Sequence, residues 1–330
     1  LALNCSISEW TKFDRKNYPY PDLMKGYQIS QYDFPVAYDG FLEIETNNQL
    51  HKIGITRAHL EEDVAKLHHS NNSKNKHTLI DLNRCGVPLM EIVSEPEMSS
   101  PSEARDYLMK LQNIIRYLEV STGDMEEGSF RCDANISMRP KGSKSLGTKV
   151  EIKNMNSFRS IHKALTFEIN RQTDALNSNK KLIQETRGWD EEKEITFSQR
   201  SKEFAHDYRY FPEPDLKPIK ISKDHIQRLK SLLPEMPEER QNRFINIYNL
   251  SEYHAKLITN SKATADYFEA CLSAHDSGIT DQISIAKTTA NWINTELTRL
   301  LNHTNTSIEN NLISPKSFIG LLNLIEKGTI

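Results

Sequence analysis

The sequence predicts an α+β fold, with a strand-rich first part of mixed, largely antiparallel sheet and flanking helices, followed by a smaller all-α part. Three observations carry this. Short runs before Pro218 alternate apolar and polar residues with period two and are separated by Gly, Asn or Pro turns, the pattern of half-buried hairpin strands. Two stretches in that part, after Ser100 and Ser157, have apolar residues at helical spacing. Beyond Pro212, Pro214 and Pro218 the chain changes to a succession of capped helical segments. These prolines set the expected boundary between domains 1–218 and 219–330.

In chain order, Trp10 to Asp33 reads as a loop packed by its own aromatics, because Pro19 and Pro21 forbid a helix and Gly26 ends the turn. Arg15, Lys16 and Lys25 alternate there with Phe13, Tyr18, Tyr20 and Tyr27, which suits stacking on nucleotide groups and equally suits a surface loop anchored by tyrosines. Phe41 to Glu45 and Ile53 to Asp63 read as strands, the second ending in Glu61, Glu62 and Asp63. Three carboxylates in a row sit in solvent or hold a cation, since like charges repel at that spacing. His68, His69 and the Asn/Ser/Lys stretch to Lys76 read as a solvated loop.

Thr78 to Leu82 and Val87 to Glu95 read as the next strand pair, turned at Asn83 to Gly86. In Val87-Pro88-Leu89-Met90-Glu91-Ile92-Val93 a glutamate interrupts a run apolar enough to be buried on both faces. A buried Glu91 requires a cation, a hydrogen-bond network or a raised pKa. The helix that follows has Ser100 as cap, Pro101 at its first position and Glu103 completing a capping box. The second helix runs from about Ser157 to Leu176, with Phe158, Ile161, Leu165, Ile169 and Leu176 inward.

Between the helices lies the segment richest in chemistry. Phe130 to Arg139 alternates strictly, and its polar face carries Arg131, Asp133, Asn135, Ser137 and Arg139; a partner strand adds Lys149, Glu151 and Lys153 at the same spacing. Both charge signs and a carboxamide on one face suit a site for a metal ion and phosphates, with Arg131, Asn135 and Arg139 the candidates for the nucleotide. A solvated hairpin with cross-strand ion pairs shows the same alternation. Gln184 to Glu203 reads as strand and turn, and Asp207 to Leu216, with Tyr208, Tyr210, Phe211 and three prolines nearby, as a ledge beside the site. In the last part Ser222 caps a helix to about Leu233, Pro237 opens another and Ser251 caps a third. Ala263 to Ser273, Ile283 to Leu301 and Pro315 to Lys327 follow, the last stopped by Gly328.

Composition narrows the function. With 42 basic and 45 acidic residues the net charge is −3, so no overall basic field draws in nucleic acid, and any RNA contact is local or shared with other chains. Cys5, Cys85, Cys132 and Cys271 show no Cys-x-x-Cys spacing, which fits reduced thiols and no structural zinc site. No apolar run reaches the length of a membrane span, so no membrane partner is expected. There is no glycine-rich phosphate loop and no His-Glu-x-x-His. Sheet-borne carboxylates remain, and they suggest divalent metal with phosphoryl transfer or carboxylate activation.

Several blocks in this order are similar to one family. They are Phe13-Asp14-Arg15-Lys16-Asn17-Tyr18 with Pro21-Asp22 and Gly26-Tyr27-Gln28-Ile29-Ser30-Gln31; His59-Leu60-Glu61-Glu62-Asp63; Glu91-Ile92-Val93-Ser94-Glu95-Pro96; Met125-Glu126-Glu127-Gly128-Ser129; Arg131-Cys132-Asp133-Ala134-Asn135; Lys153-Asn154-Met155-Asn156-Ser157; and Asp207 to Asp215. They resemble the B subunit of the glutamyl-tRNA(Gln)/aspartyl-tRNA(Asn) amidotransferase, closely over 1–218 and more loosely to Ile330.

The resemblance implies a cradle domain followed by a helical domain. It implies ATP-dependent phosphorylation of the side-chain carboxylate of glutamate misacylated on tRNA(Gln), then amidation by ammonia from a glutaminase subunit, with a small third subunit in the complex. It places magnesium on acids matching Glu62, Glu91, Asp133 and Glu151, and sets Lys16 and Lys25 on the ammonia route. The family's N-terminal Gly-Leu-Glu-x-His strand and its C-terminal tail domain are expected to have no counterpart here. Asp63-Val64-Ala65-Lys66 departs from the family's Asp-Ala-Gly-Lys; with the Asn-rich loops this points to a diverged member in the mitochondrial matrix, a fungal one with an unusual third subunit, or else in the bacterial cytoplasm. Two other readings fit the residues: a non-catalytic tRNA-binding scaffold that docks the glutaminase, with the acids in structural ion pairs, and a metal-dependent nuclease.

Overall fold

The protein is described from a computed structural model covering residues 1–46, 49–69, 77–201, 207–275 and 281–330. Of the solvated loop expected from His68 to Lys76, residues 70–76 lie outside the described residues, whereas His68 and His69 are in a strand, Lys66–His69, paired with Thr78–Asp81. The chain divides into two compact units, Leu1–Met109 with Arg131–Leu232, and Lys110–Phe130 with Leu233–Ile330. The helix at Lys223–Leu232 therefore clusters with the strand-rich unit, and residues 110–130 with the helices.

The first unit is built of small sheets. A four-stranded antiparallel sheet has the order β1 (Ser6–Ile7), β5 (Ala37–Thr46), β6 (Gln49–Glu62), β9 (Pro88–Ser94). Leu42, Ile44, Ile53 and Ile55 of its two long strands are almost wholly buried, as the period-two pattern requires. The short strands β2 (Trp10–Thr11) and β15 (Ile219–Lys220) pair with each other, as do β7 (Lys66–His69) and β8 (Thr78–Asp81). A three-stranded sheet has the order β14 (Phe211–Pro212), β3 (Asp14–Asn17), β4 (Tyr27–Ser30). The stretch expected to be a loop is thus a hairpin turned at Pro19 to Gly26. Its strands bury polar residues (Asp14, Gln28 and Ser30), so they carry no hydrophobic alternation to betray them.

The expected pairing of the strands around Asn83 does not form. β8 returns on β7, and β9 lies along β6, held at the corner by Asp63 N donating to Val87 O and Gly86 N to Asp63 O. Gly86 has φ +77°, the left-handed turn that a side chain would strain. Glu91 is also corrected: its side chain is 47% exposed and neighbouring Met90 51%, because β9 is the outer strand of its sheet and is not covered on both sides.

The fourth sheet has the order β10 (Ala134–Ile136), β11 (Val150–Lys153), β12 (Glu185–Asp190), β13 (Ile195–Ser201), with β11 and β12 parallel and the other pairs antiparallel. The alternation expected from Phe130 to Arg139 yields a strand of three residues only, although exposure does alternate from Arg131 to Ile136. Val150 and Ile152 face the core, and helix α2 (Phe158–Asn177) runs beside this sheet, with Ile161, Ala164 and Leu165 buried. Leu176, expected inward, is exposed at the helix end.

Helix α1 (Pro101–Tyr117) starts as its sequence dictates: Glu103 N donates to Ser100 Oγ, and the Glu103 carboxylate reaches back to Ser99 N. Helix α3 (Lys223–Leu232) closes the first unit. The second unit holds α4 (Pro237–Tyr248), α5 (Glu252–Thr259), α6 (Lys262–Ser273), α7 (Gln282–Trp292), a wider turn at Ile293–Leu297, α8 (Thr298–Thr304) and α9 (Pro315–Glu326). Phe244, Ile258, Phe268, Ile285, Ile293 and Ile319 form its core. Among the described residues no helix is long and apolar enough to cross a membrane.

Candidate active site

Strand β6 positions the first group of side chains. Period-two geometry sends Arg57, His59 and Glu61 to one face and Leu60 and Glu62 to the other. Across the ladder His59 stands directly opposite Glu91 of β9. His59 Nε2 lies 3.2 Å from Glu61 Oε1 and 3.7 Å from Glu91 Oε2, and the three ligand atoms all lie within 4.8 Å of one another.

Glu61 is buried and heavily held. It accepts from Ser30 Oγ at 2.7 Å and Gln28 Nε2 at 3.1 Å, and Lys16 Nζ is 3.5 Å away. Burial works against its charge, but the bond from His59, the Lys16 charge and the bond from Ser30 outweigh it and bring its carboxyl down to about 2. The site thus keeps an anionic carboxylate beside an imidazole whose Nδ1 is buried without a partner. Two carboxylates and one imidazole, with Glu91 open to solvent, form a donor set suited to a hard divalent ion such as magnesium or manganese.

The four acids expected to meet do not form one cluster among the described residues. Glu91 joins His59 and Glu61. Glu62 points to the opposite face, where its carboxylate accepts from Ile29 N at 2.9 Å and from Lys25 Nζ. Asp133, just before β10, and Glu151 on β11 form a second group around Lys153, whose Nζ is 2.6 Å from Asp133 and 3.7 Å from Glu151. Burial alone would lower the Lys153 pKa; the Asp133 and Glu151 charges reverse this and raise it. Asn135 faces Glu151 across the ladder, and Thr186 Oγ1 donates to Glu151 at 2.8 Å. Of the expected phosphate contacts, Arg131 is ion-paired with Asp63 at 2.7 Å and Arg139 donates to Lys144 O within the turn beyond β10.

The aromatic ledge lies against the first group. Tyr210 stacks on Tyr32 with centroids 4.3 Å apart and planes 8° from parallel, and Lys16 Nζ sits 5.2 Å from the Tyr208 ring centre. Burial, followed by the charge of Glu61, raises the Tyr210 hydroxyl pKa well above its usual value. A cleft of about 580 Å³ opens here between Lys12, Tyr32, Arg57 and the ledge Asp207–Pro212. His59 was not singled out from sequence, and Glu61 only as one of three consecutive acids able to hold a cation; the signal available was parity, since only Glu61 of the three is two residues from the histidine.

A strand-borne acid–imidazole group beside a tyrosine-walled cleft, in a sheet-rich unit followed by helices, is an arrangement suited to metal-assisted catalysis. Comparison with known proteins specifies the family. The GatB/GatE catalytic domain matches residues 1–227, and the GatB domain matches 266–330. The whole chain aligns at 56% identity with 68% of the length of the B subunit of the aspartyl/glutamyl-tRNA(Asn/Gln) amidotransferase of Dehalococcoides mccartyi. It aligns at 51% with 67% of that of Carboxydothermus hydrogenoformans, and at 50% with 67% of that of Brevibacillus brevis. The chain belongs to the GatB/GatE catalytic-domain family.

Proposed function

We propose that the chain acts as the B subunit of an aspartyl/glutamyl-tRNA(Asn/Gln) amidotransferase, a ligase that uses ATP to convert glutamate misacylated on tRNA(Gln) into glutamine. The side-chain carboxylate oxygen attacks the terminal phosphorus of ATP and ADP departs; ammonia then displaces phosphate from the acyl group. The observation that carries this reading, beyond family membership, is the His59–Glu61–Glu91 group, whose two carboxylates act on the hydroxyl of Tyr210 in the cleft wall. His59, Glu61 and Glu91 would hold magnesium, which would supply neutralisation of phosphate charge during transfer. Asp133, Glu151, Lys153 and Asn135 form the polar face toward the nucleotide.

Lys16 and Lys25, paired with Glu61 and Glu62, together with Gln28 and Ser30 on Glu61, are the polar groups that would line an ammonia route. The ammonia comes from a glutaminase subunit, and a small third subunit completes the complex. The bacterial sources of the relatives favour the bacterial cytoplasm over the mitochondrial matrix.

The test is Glu61→Gln in the assembled complex, assayed for magnesium-dependent ATP cleavage triggered by Glu-tRNA(Gln). A fall of about hundredfold or more is expected; wild-type turnover would contradict the assignment.

A further inference from the structure

Arg57 is the one member of the β6 face without a task in that reaction. It stands two residues before His59, so it points to the same side as His59 and Glu61. Its neighbours across the sheet, Tyr38 on β5 and Val93 on β9, supply no counter-charge. The guanidinium Nε is buried and has no hydrogen-bond partner, and Arg57 enters no ion pair among the described residues. A buried N–H left without a partner is costly, and a half-buried guanidinium that retains one in a cleft wall is poised for an anion that arrives from outside.

The surroundings say where that anion sits. Arg57 lines the 580 Å³ cleft together with Lys12, Asp14, Asp33 and Asp207. Lys12 is occupied by Asp14 at 2.6 Å and Asp33 at 3.3 Å, and Asp207 accepts from Arg209 N at 3.2 Å. Arg209 itself is exposed, whereas Arg57 is half-buried. Arg57 is therefore the sheltered cation of that wall with donors to spare. The Tyr210 hydroxyl feels the charges of Glu61, Arg57 and Glu91 together, which puts the guanidinium and the acid–imidazole group around one phenol.

We propose that Arg57 is the anion-binding residue of the cleft, its planar fork gripping the oxyanion that reacts at the His59–Glu61–Glu91 group. That oxyanion is either the terminal phosphate of the nucleotide or the side-chain carboxylate of the aminoacyl substrate, both of which match a guanidinium bidentately. This role rests on the proposed amidotransferase function.

The experiment uses the full-length protein in its complex and compares Arg57→Gln and Arg57→Lys with wild type in ATP cleavage and in amidation. KM for ATP and KM for Glu-tRNA(Gln) are measured separately, and glutaminase activity of the complex monitors folding and assembly. Arg57→Gln raises one of the two KM values by about tenfold or more, Arg57→Lys by less, and added guanidinium ion restores part of the loss. A rise confined to ATP assigns the phosphate; one confined to Glu-tRNA(Gln) assigns the carboxylate. Should Arg57→Gln fail to assemble, Arg57→Lys with its aliphatic stem intact gives the same readout. Unchanged KM values for both substrates overturn the role of Arg57 while wild-type turnover leaves the proposed function standing; absence of ATP cleavage in the wild-type complex overturns the proposed function itself.

Discussion

At the scale of single residues, Glu61 makes the firmest demands. Its folded-state pKa lies below the usual 4.5, at about 2, so its charged form stabilises the fold at every pH above the ordinary carboxylate range. That contribution is lost as pH falls from 4.5 toward 2. Unfolding free energy measured against pH for wild type and Glu61→Gln shows the two curves converging in this window; parallel curves would show that Glu61 is not held ionised. Glu168 makes a separate demand. It is fully buried on α2, bonded by both Arg171 donors at 2.8 Å, by Gln172 at 3.1 Å and by Thr196, with Arg187 Nε 3.1 Å away. Glu168→Ala removes the buried acceptor shared by Arg171, Gln172 and Thr196 and costs about 3–5 kcal/mol, to be read from a lower denaturation midpoint at unchanged slope.

At the scale of elements, caps and apolar stripes were legible in the sequence and strand partners were not. Ser157 accepts from Ser160 N at 3.0 Å, and Ser251 and Ser314 repeat that geometry, because an N-cap is decided within four residues. Ser157→Ala is expected to cost about 1 kcal/mol in an unfolding titration. The strands of the cleft wall escaped notice because Asp14, Gln28 and Ser30 are buried polar groups satisfied by distant partners, and no local pattern signals that. Glu91 misled in the opposite direction: an apolar run announces two covered faces, but an outer strand keeps one open. The choice between Glu61 and Glu62 turns on strand parity. A one-residue slip exchanges the two faces, so the ligand acid emerges only once the histidine two residues away is known to share its side.

At the scale of the whole molecule, the two compact units differ in make-up, one strand-rich and the other helical. The strand-rich unit holds every side chain assigned to chemistry, and the helical unit has a closed apolar core in which Phe244 and Phe268 meet with centroids 5.0 Å apart. Phe268→Ala is expected to destabilise the helical unit by about 3–5 kcal/mol, measured by denaturant unfolding followed by hydrogen exchange in α6. The net charge of −3 gives the chain no general attraction for RNA, consistent with a local approach of the aminoacyl end to the cleft.

The central claim is that β6 presents His59 and Glu61, with Glu91 opposite, to a divalent ion, and turns Glu62 away. Manganese binding followed by electron paramagnetic resonance in wild type, Glu61→Gln, Glu91→Gln and Glu62→Gln tests it most directly. The account predicts affinity lower by about 10–100-fold in the Glu61 and Glu91 variants and retained in Glu62→Gln. Affinity lost in Glu62→Gln and kept in Glu61→Gln would contradict it.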